Sequence, residues 1–259
     1  QSTPQGLVDA LNMEISELHV MANEVYAEVA DEEFNTADNG YLATWIDADG
    51  VGCKQLDTVA REQELFEGYT IHLLQELLPK NSQLVVANSM SIRDMDYFWS
   101  GNRHSAIIYG NRGVNGIDGT VSTALGIATN GMPTVLLTGD LTFFHDLNGL
   151  AVSKTHPLNV TIIVHNNDGG GIFEYLPQKG TPYFDYLFST AQGLDYSGLA
   201  TLYGIDFVRV ASNDELKNVL QNHVGTAGVH VIEIPTSKER SRELHALYTT
   251  IPTNKEDRL

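Results

Sequence analysis

Six short, β-branched runs constrain this chain more than anything else in it. They read QLVVANS (Gln83–Ser89), SAIIYG (Ser105–Gly110), TVLLTG (Thr134–Gly139), NVTIIVHN (Asn159–Asn166), DFVRV (Asp206–Val210) and GVHVIEI (Gly228–Ile234). Most are separated by helical patterns of about ten residues or more, and strands in such an alternation cannot pair as simple hairpins. Strands that are apolar nearly throughout, rather than at every second position, have both faces buried. The expectation is an α/β, doubly wound parallel sheet flanked by helices.

The N-terminal third has a different texture. From Thr36 to Leu78 the spacing is helical: Leu42, Trp45 and Ile46 recur at three and four, and LFEGYTIHLLQELL (Leu65–Leu78) repeats the pattern before Pro79 stops it. EISELHVMA (Glu14–Ala22) reads as a strand of a preceding unit. Ser212 with Glu215 forms a capping-box start for a helix over Asn213–His223. The organisation expected is a tail of a central domain over residues 1–35, a helical connector over 36–64, and the α/β domain over 65–259.

Charge and cysteine content exclude several classes. The 259 residues are 42% hydrophobic and 19% charged, with a formal net charge of −18 and an isoelectric point near 4.7. A nucleic-acid partner calls for a basic patch, so none is expected. Anionic membranes are disfavoured for the same reason, and no apolar run approaches a membrane span. The one cysteine, Cys53, allows no internal disulfide, so a cytoplasmic setting is expected. A first residue of Gln1 rather than Met suggests a fragment or a processed product.

In open α/β sheets, ligands bind outside the carboxyl ends of the strands. Four consecutive runs here end on polar residues: Asn88 and Ser89, Asn111 and Arg112, Gly139 and Asp140, Asn166 and Asn167. Asp140 and Asn167 are hard oxygen donors suited to Mg2+, an ion usually completed by water and phosphate oxygens. Gly169, Gly170 and Gly171 free the backbone to turn sharply, presenting a carbonyl to the ion and N–H groups to phosphate.

Gly-Asp followed 26 residues after the Asp by Asn-Asn resembles the diphosphate-binding motif of thiamine-diphosphate enzymes. The resemblance implies Asp140, Asn167 and the carbonyl of Gly169 as ligands of Mg2+ or Mn2+. The family motif usually continues with Gly where Leu141 stands here. Four segments, NSMSIRDMDYF (Asn88–Phe98), NRGVNGIDGTVSTALGIA (Asn111–Ala128), GDLTFFHDLNGL (Gly139–Leu150) and NNDGGGIFEYLPQ (Asn166–Gln178), resemble one branch. It is the MenD family of 2-succinyl-5-enolpyruvyl-6-hydroxy-3-cyclohexene-1-carboxylate synthases, in which Leu or a similar residue does follow Gly-Asp. The likeness runs from about Leu65 through HVIEI (His230–Ile234) to RELH (Arg242–His245).

That resemblance implies a thiamine-diphosphate-binding fold, and here its diphosphate-binding domain. It implies a transferase of menaquinone biosynthesis that decarboxylates 2-oxoglutarate and adds the succinyl unit to isochorismate. Both substrates are rich in carboxylates, which Arg recognises bidentately; Arg93 and Arg112 match the family's substrate-binding arginines. Ser89, Gly139, Leu141, Gly170 and Ile172 are expected at the cofactor. Ile117 falls where the family sets a bulky apolar residue under the bent cofactor. Phe173 and Leu176 are expected to wall the substrate pocket. His145 and Asp146 are expected to cap or line the next helix rather than act as bases. The family's activating glutamate sits on an N-terminal pyrimidine-binding domain contributed by a partner subunit, so no catalytic residue is expected in this chain. Alone it should be inactive, its active form being a homo-oligomer, a dimer or tetramer. Another thiamine-diphosphate decarboxylase or carboligase, or a non-catalytic binding module of the same fold, are the alternatives.

Overall fold

The computed structural model describes residues 41–100 and 105–250. The tail assigned to residues 1–35, with its strand at Glu14–Ala22, lies outside the described residues. The chain divides into two compact units, Gln1–Asp47 and Ala48–Leu259, and the second carries the sheet.

Helix α1 spans Tyr41–Asp57, a 3-10 turn follows at Thr58–Arg61, and α2 spans Glu67–Leu77. The helical spacing of Thr36–Leu78 is therefore broken. Glu62 turns its carboxylate onto the backbone N–H groups of Gln63 and Glu64, a local bond that competes with the helix. Phe66 is extended before α2 begins. Six strands then alternate with helices: β1 (Gln83–Val86), α3 (Met90–Phe98), β2 (Ile107–Gly110), α4 (Thr120–Ile127), β3 (Thr134–Gly139), α5 (Asp140–His145), β4 (Asn159–Asn166), α6 (Leu199–Tyr203), β5 (Asp206–Arg209), α7 (Asn213–His223), β6 (Gly228–Pro235) and α8 (Lys238–Thr249). Each of the six strands expected after Pro79 is present, three of them shortened: β1 stops before Asn88, β2 starts two residues late, and β5 ends at Arg209.

All pairings are parallel, in the order β2-β1-β3-β4-β6-β5. Alternate side chains of each strand enter opposite layers. Val135 and Leu137 pack with Ile71, Leu74, Leu220 and Leu244 on one face. Leu136 packs with Leu125, Phe143 and Leu199 on the other. Each fully buried leucine contributes roughly 1.5–3 kcal/mol, so the two layers carry the stability of the sheet.

From β1 the chain runs outward to β2 and then returns to the opposite side of β1 as β3. Right-handed crossovers put α3 and α4 on opposite faces, and their buried residues do lie in different layers. The carboxyl ends of β1 and β3 thus frame a topological switch point, where a crevice opens.

Ser212 caps α7, its Oγ accepting the N–H of Glu215 at 3.2 Å, while Glu215 reaches back to the N–H of Ala211 at 2.8 Å. Replacing Ser212 by Ala should cost about 1 kcal/mol, read as a lower urea midpoint with an unchanged slope.

Candidate functional site

At the switch point lies a cavity of about 270 Å³. Its wall takes residues from three strand ends, among them Ser89, Asp140 and Asn167. Of the residues named from sequence, the structure also brings Ile117, Gly139, Leu141, Gly169, Gly170, Ile172 and Phe173 to this cavity.

Asp140 opens α5 and is 5% exposed, with one carboxylate oxygen, Oδ2, accepting the N–H of Gly169 at 2.7 Å. Burial pushes its pKa up to about 6, the Gly169 bond pulling the other way and the nearby Asp168 carboxylate adding to the rise. Asn167 faces the same space, and its buried Oδ1 has no hydrogen-bond partner. A buried amide oxygen without a partner costs about 1–3 kcal/mol, a cost that an ion in the cavity would remove. Carboxylate, amide oxygen and a nearby backbone carbonyl form an all-oxygen set of the kind Mg2+ takes. The residues therefore fit a divalent ion bound to a diphosphate.

The loop after β4 is held rigidly. Gly169 sits at φ +138°, and Gly170 donates its N–H to the Ser189 carbonyl at 2.7 Å. Lys238 Nζ bonds the Asp168 carbonyl at 2.9 Å and Ser189 Oγ at 2.6 Å. Asp168 Oδ1 accepts the N–H groups of Gln192 and Gly193. A β-carbon on Gly171 would stand 2.5 Å from Asn167 Nδ2, so the glycine leaves Asn167 its place. The two asparagines differ in role. Asn166 spends its side chain on Glu233 and on the N–H of Asp168, while Asn167 keeps its oxygen for the cavity.

Asn88 is structural: its amide donates to the carbonyls of Asn111 and Gly116 at 3.1 and 2.6 Å and accepts from Arg112 Nη1 at 2.8 Å. It ties the loop carrying Ile117 to β1. Ser89 stands at φ +66°, a costly conformation for a residue with a β-carbon. Arg93 donates to the Ser89 carbonyl at 2.6 Å. Arg93 and Arg112 are exposed, and neither they nor Leu176 line the cavity. His145 lies 3.6 Å from Asp118 at the surface. Asp146 stands at the start of the next helix, the 3-10 helix Leu147–Lys154, as expected, but its carboxylate accepts the N–H and the hydroxyl hydrogen of Ser122 in α4, before it in the chain.

A buried polar group that reaches the cavity wall through Glu67 and Asp94 was not foreseen. Glu67 accepts from Thr236 and Ser241 at 3.0 and 2.8 Å, and His245 places Nε2 2.8 Å from Asp94 Oδ1 and Nδ1 2.8 Å from the Ser241 carbonyl. Both His245 nitrogens face oxygens, an arrangement that the imidazolium satisfies with a donor at each. Burial, the largest single influence, opposes the charge, but the Asp94 bond, the Asp94 and Glu67 charges and the Ser241 carbonyl together hold the pKa above its ordinary value. Helix periodicity carried the signal. Ser91, Asp94, Met95 and Phe98 share one buried face of α3, and Ser241, Leu244, His245 and Tyr248 one of α8.

The raised pKa of Asp140 sets a pH dependence. Its folded value, about 6, exceeds the ordinary 3.8, so the metal-free fold takes up the proton first. This group's burden on stability is present above about pH 6 and fades as the pH falls toward 3.8. A metal ion held by Asp140 would compete with that proton, so Mg2+ affinity should fall roughly tenfold per pH unit below the pKa. Mg2+ titrations monitored by intrinsic fluorescence on either side of the pKa would check it.

Residues 89–234 match the family model described as thiamine pyrophosphate enzyme, C-terminal TPP binding domain. The chain is 52% identical over 213 residues to a 2-succinyl-5-enolpyruvyl-6-hydroxy-3-cyclohexene-1-carboxylate synthase of Lactococcus lactis subsp. cremoris, covering 82% of this chain and 38% of that one. It is 47% identical over 217 residues to the synthase of the same description from Desulfitobacterium hafniense, covering 84% and 40%. The chain thus spans about two fifths of the length of these relatives. A solved structure of an enzyme from Mycobacterium smegmatis, assigned as thiamin diphosphate-dependent, superposes with a TM-score of 0.55 at 22% identity, over 67% of this chain and 32% of that one. That likeness bears on the fold alone.

Proposed function

The chain belongs to the family of C-terminal TPP-binding domains of thiamine pyrophosphate enzymes, and from this we propose that it is the diphosphate-binding part of a transferase of menaquinone biosynthesis. The full-length protein decarboxylates 2-oxoglutarate and adds the succinyl unit to isochorismate, in the cytoplasm. The observation that carries this reading is the 47–52% identity with synthases of that name.

Bound thiamine diphosphate supplies a thiazolium ring able to hold the electron pair released when a 2-oxo acid loses carbon dioxide. Asp140, Asn167 and the Gly169 carbonyl hold Mg2+ or Mn2+ against its diphosphate. The rigid loop at Gly169 and Gly170 brings backbone close to the phosphates, with Gly139, Leu141, Ile172 and Ser89 around the cofactor. Ile117 supports it from below. Arg93 and Arg112 receive substrate carboxylates, and Phe173 and Leu176 close the substrate side. The pyrimidine-binding domain, with its activating glutamate, comes from a partner subunit of a homo-oligomer.

Both arginines also make a bond within the fold, Arg93 to the Ser89 carbonyl and Arg112 to the Asn88 side chain that ties the Ile117 loop to β1, and Arg93 is the one to test because it does not hold that loop. A charge-assisted hydrogen bond is worth roughly 1.5–3 kcal/mol. In the full-length enzyme, Arg93→Ala should raise KM for 2-oxoglutarate by a factor on the order of ten to a hundred, with a smaller change in kcat. The test of the whole reading is 2-oxoglutarate consumption by the full-length protein with thiamine diphosphate and Mg2+. Consumption that requires isochorismate is expected. Turnover of another 2-oxo acid, indifferent to isochorismate, would move the enzyme to a different branch, and no turnover would leave a binding module.

A further inference from the structure

Far from the cavity, at the amino ends of β5 and β6, three potential metal ligands converge. Asp206 and His230 are register partners across β5 and β6, and His223 ends α7. One ligand atom from each lies within 4.8 Å of the others, the sole such cluster of three among the described residues. The two imidazole rings meet edge to face, centroids 4.9 Å apart at 81°.

The surrounding acceptors decide which nitrogens are bare. His223 Nδ1 faces the Val219 carbonyl at 3.0 Å. A carbonyl only accepts, so Nδ1 carries the hydrogen and Nε2 keeps its lone pair. His230 Nε2 faces the Ala227 carbonyl at 3.2 Å and Thr226 Oγ1 at 3.1 Å. Thr226 gives its own hydrogen to the His223 carbonyl at 2.8 Å, so His230 Nε2 is a donor too. In the neutral ring this leaves the Nδ1 lone pair 2.9 Å from the carboxylate oxygen Asp206 Oδ2. Two lone pairs at that distance repel unless a cation stands between them. A bridging proton would satisfy that pair but gives no part to the third residue, whereas a metal ion engages all three.

We infer that Asp206, His223 and His230 form a divalent-metal site separate from the oxygen set at Asp140. Two imidazoles and one carboxylate suit Zn2+ or a similar transition ion rather than Mg2+, with a fourth position left to water. The backbone carbonyl behind His223 fixes its tautomer, as such carbonyls do for metal-bound histidines. Asp206 is largely exposed, which gives the ion its entry. Bound metal ties the end of α7 to the sheet edge and stabilises the fold by mass action.

The test is a Co2+ titration of the chain at slightly alkaline pH, with Mg2+ in excess, followed by displacement with Zn2+. A single equivalent of Co2+ should develop the visible absorption of a four-coordinate ion, and Zn2+ should abolish it and raise Tm. His223→Ala and Asp206→Asn, at partly and largely exposed positions, should each weaken binding roughly tenfold or more. Asp140→Asn should leave it unchanged, whatever becomes of the proposed activity. No saturable Co2+ absorption, or a signal that survives both His223→Ala and Asp206→Asn, would overturn the site; should one variant misfold by circular dichroism, the other decides.

Discussion

Replacing Asp140 by Ala in the full-length protein should abolish Mg2+-dependent binding of thiamine diphosphate. The carboxylate is the one charged oxygen ligand in the proposed set, and it is buried where water substitutes poorly for it. Removing one partner of a buried charge pair costs about 3–5 kcal/mol, which is roughly two to three and a half decades in affinity. The fold should survive. In the metal-free chain the buried carboxylate is itself a burden, as its raised pKa shows. Calorimetry with thiamine diphosphate, with and without Mg2+, reads the effect. Binding that stays tight and Mg2+-dependent in the variant would remove Asp140 from the metal set.

Replacing Gly169 by Ala acts on stability and on the site together. At φ +138° a β-carbon is strained, and here it would also collide with the Ser189 carbonyl oxygen. That carbonyl cannot simply retreat, because it accepts the Gly170 N–H, and Lys238 pins Ser189 and the Asp168 carbonyl together. Strain and overpacking together should cost about 3–5 kcal/mol. Gly180 is the control: it has φ +80° but open space around it, so Gly180→Ala should cost only about 1–2 kcal/mol. Urea unfolding of both variants separates backbone strain from collision. Equal losses would mean that the loop yields.

The parallel sheet was legible because β4 and its neighbours are apolar at nearly every position, a pattern that two-sided burial produces. The oxygen set at Asp140 and Asn167 was legible because strand ends in such a sheet must converge. Two things were hidden. Asn88 lines the cavity as its place in the sequence suggests, but its side chain is spent on three hydrogen bonds that brace the loop, and only the loop's path through Asn111 and Gly116 reveals that second role. The Glu67, Asp94 and His245 group joins three helices distant in sequence. Each residue is the one carboxylate or imidazole among the buried positions of its helix, so the anomaly could be seen but not its partner. The break before α2 was missed because Glu62 ends the helical run through its side chain, without the Gly or Pro that usually marks such a stop.

The most direct measurement is anomalous diffraction from crystals of the full-length protein grown with thiamine diphosphate and Mn2+ in place of Mg2+. A single Mn2+ peak at the carboxyl ends of β3 and β4, ligated by Asp140, Asn167 and the Gly169 carbonyl and by diphosphate oxygens, is expected. A peak ligated by other residues, or diphosphate bound at this cavity without any ion, would contradict a metal-holding role for Asp140 and Asn167.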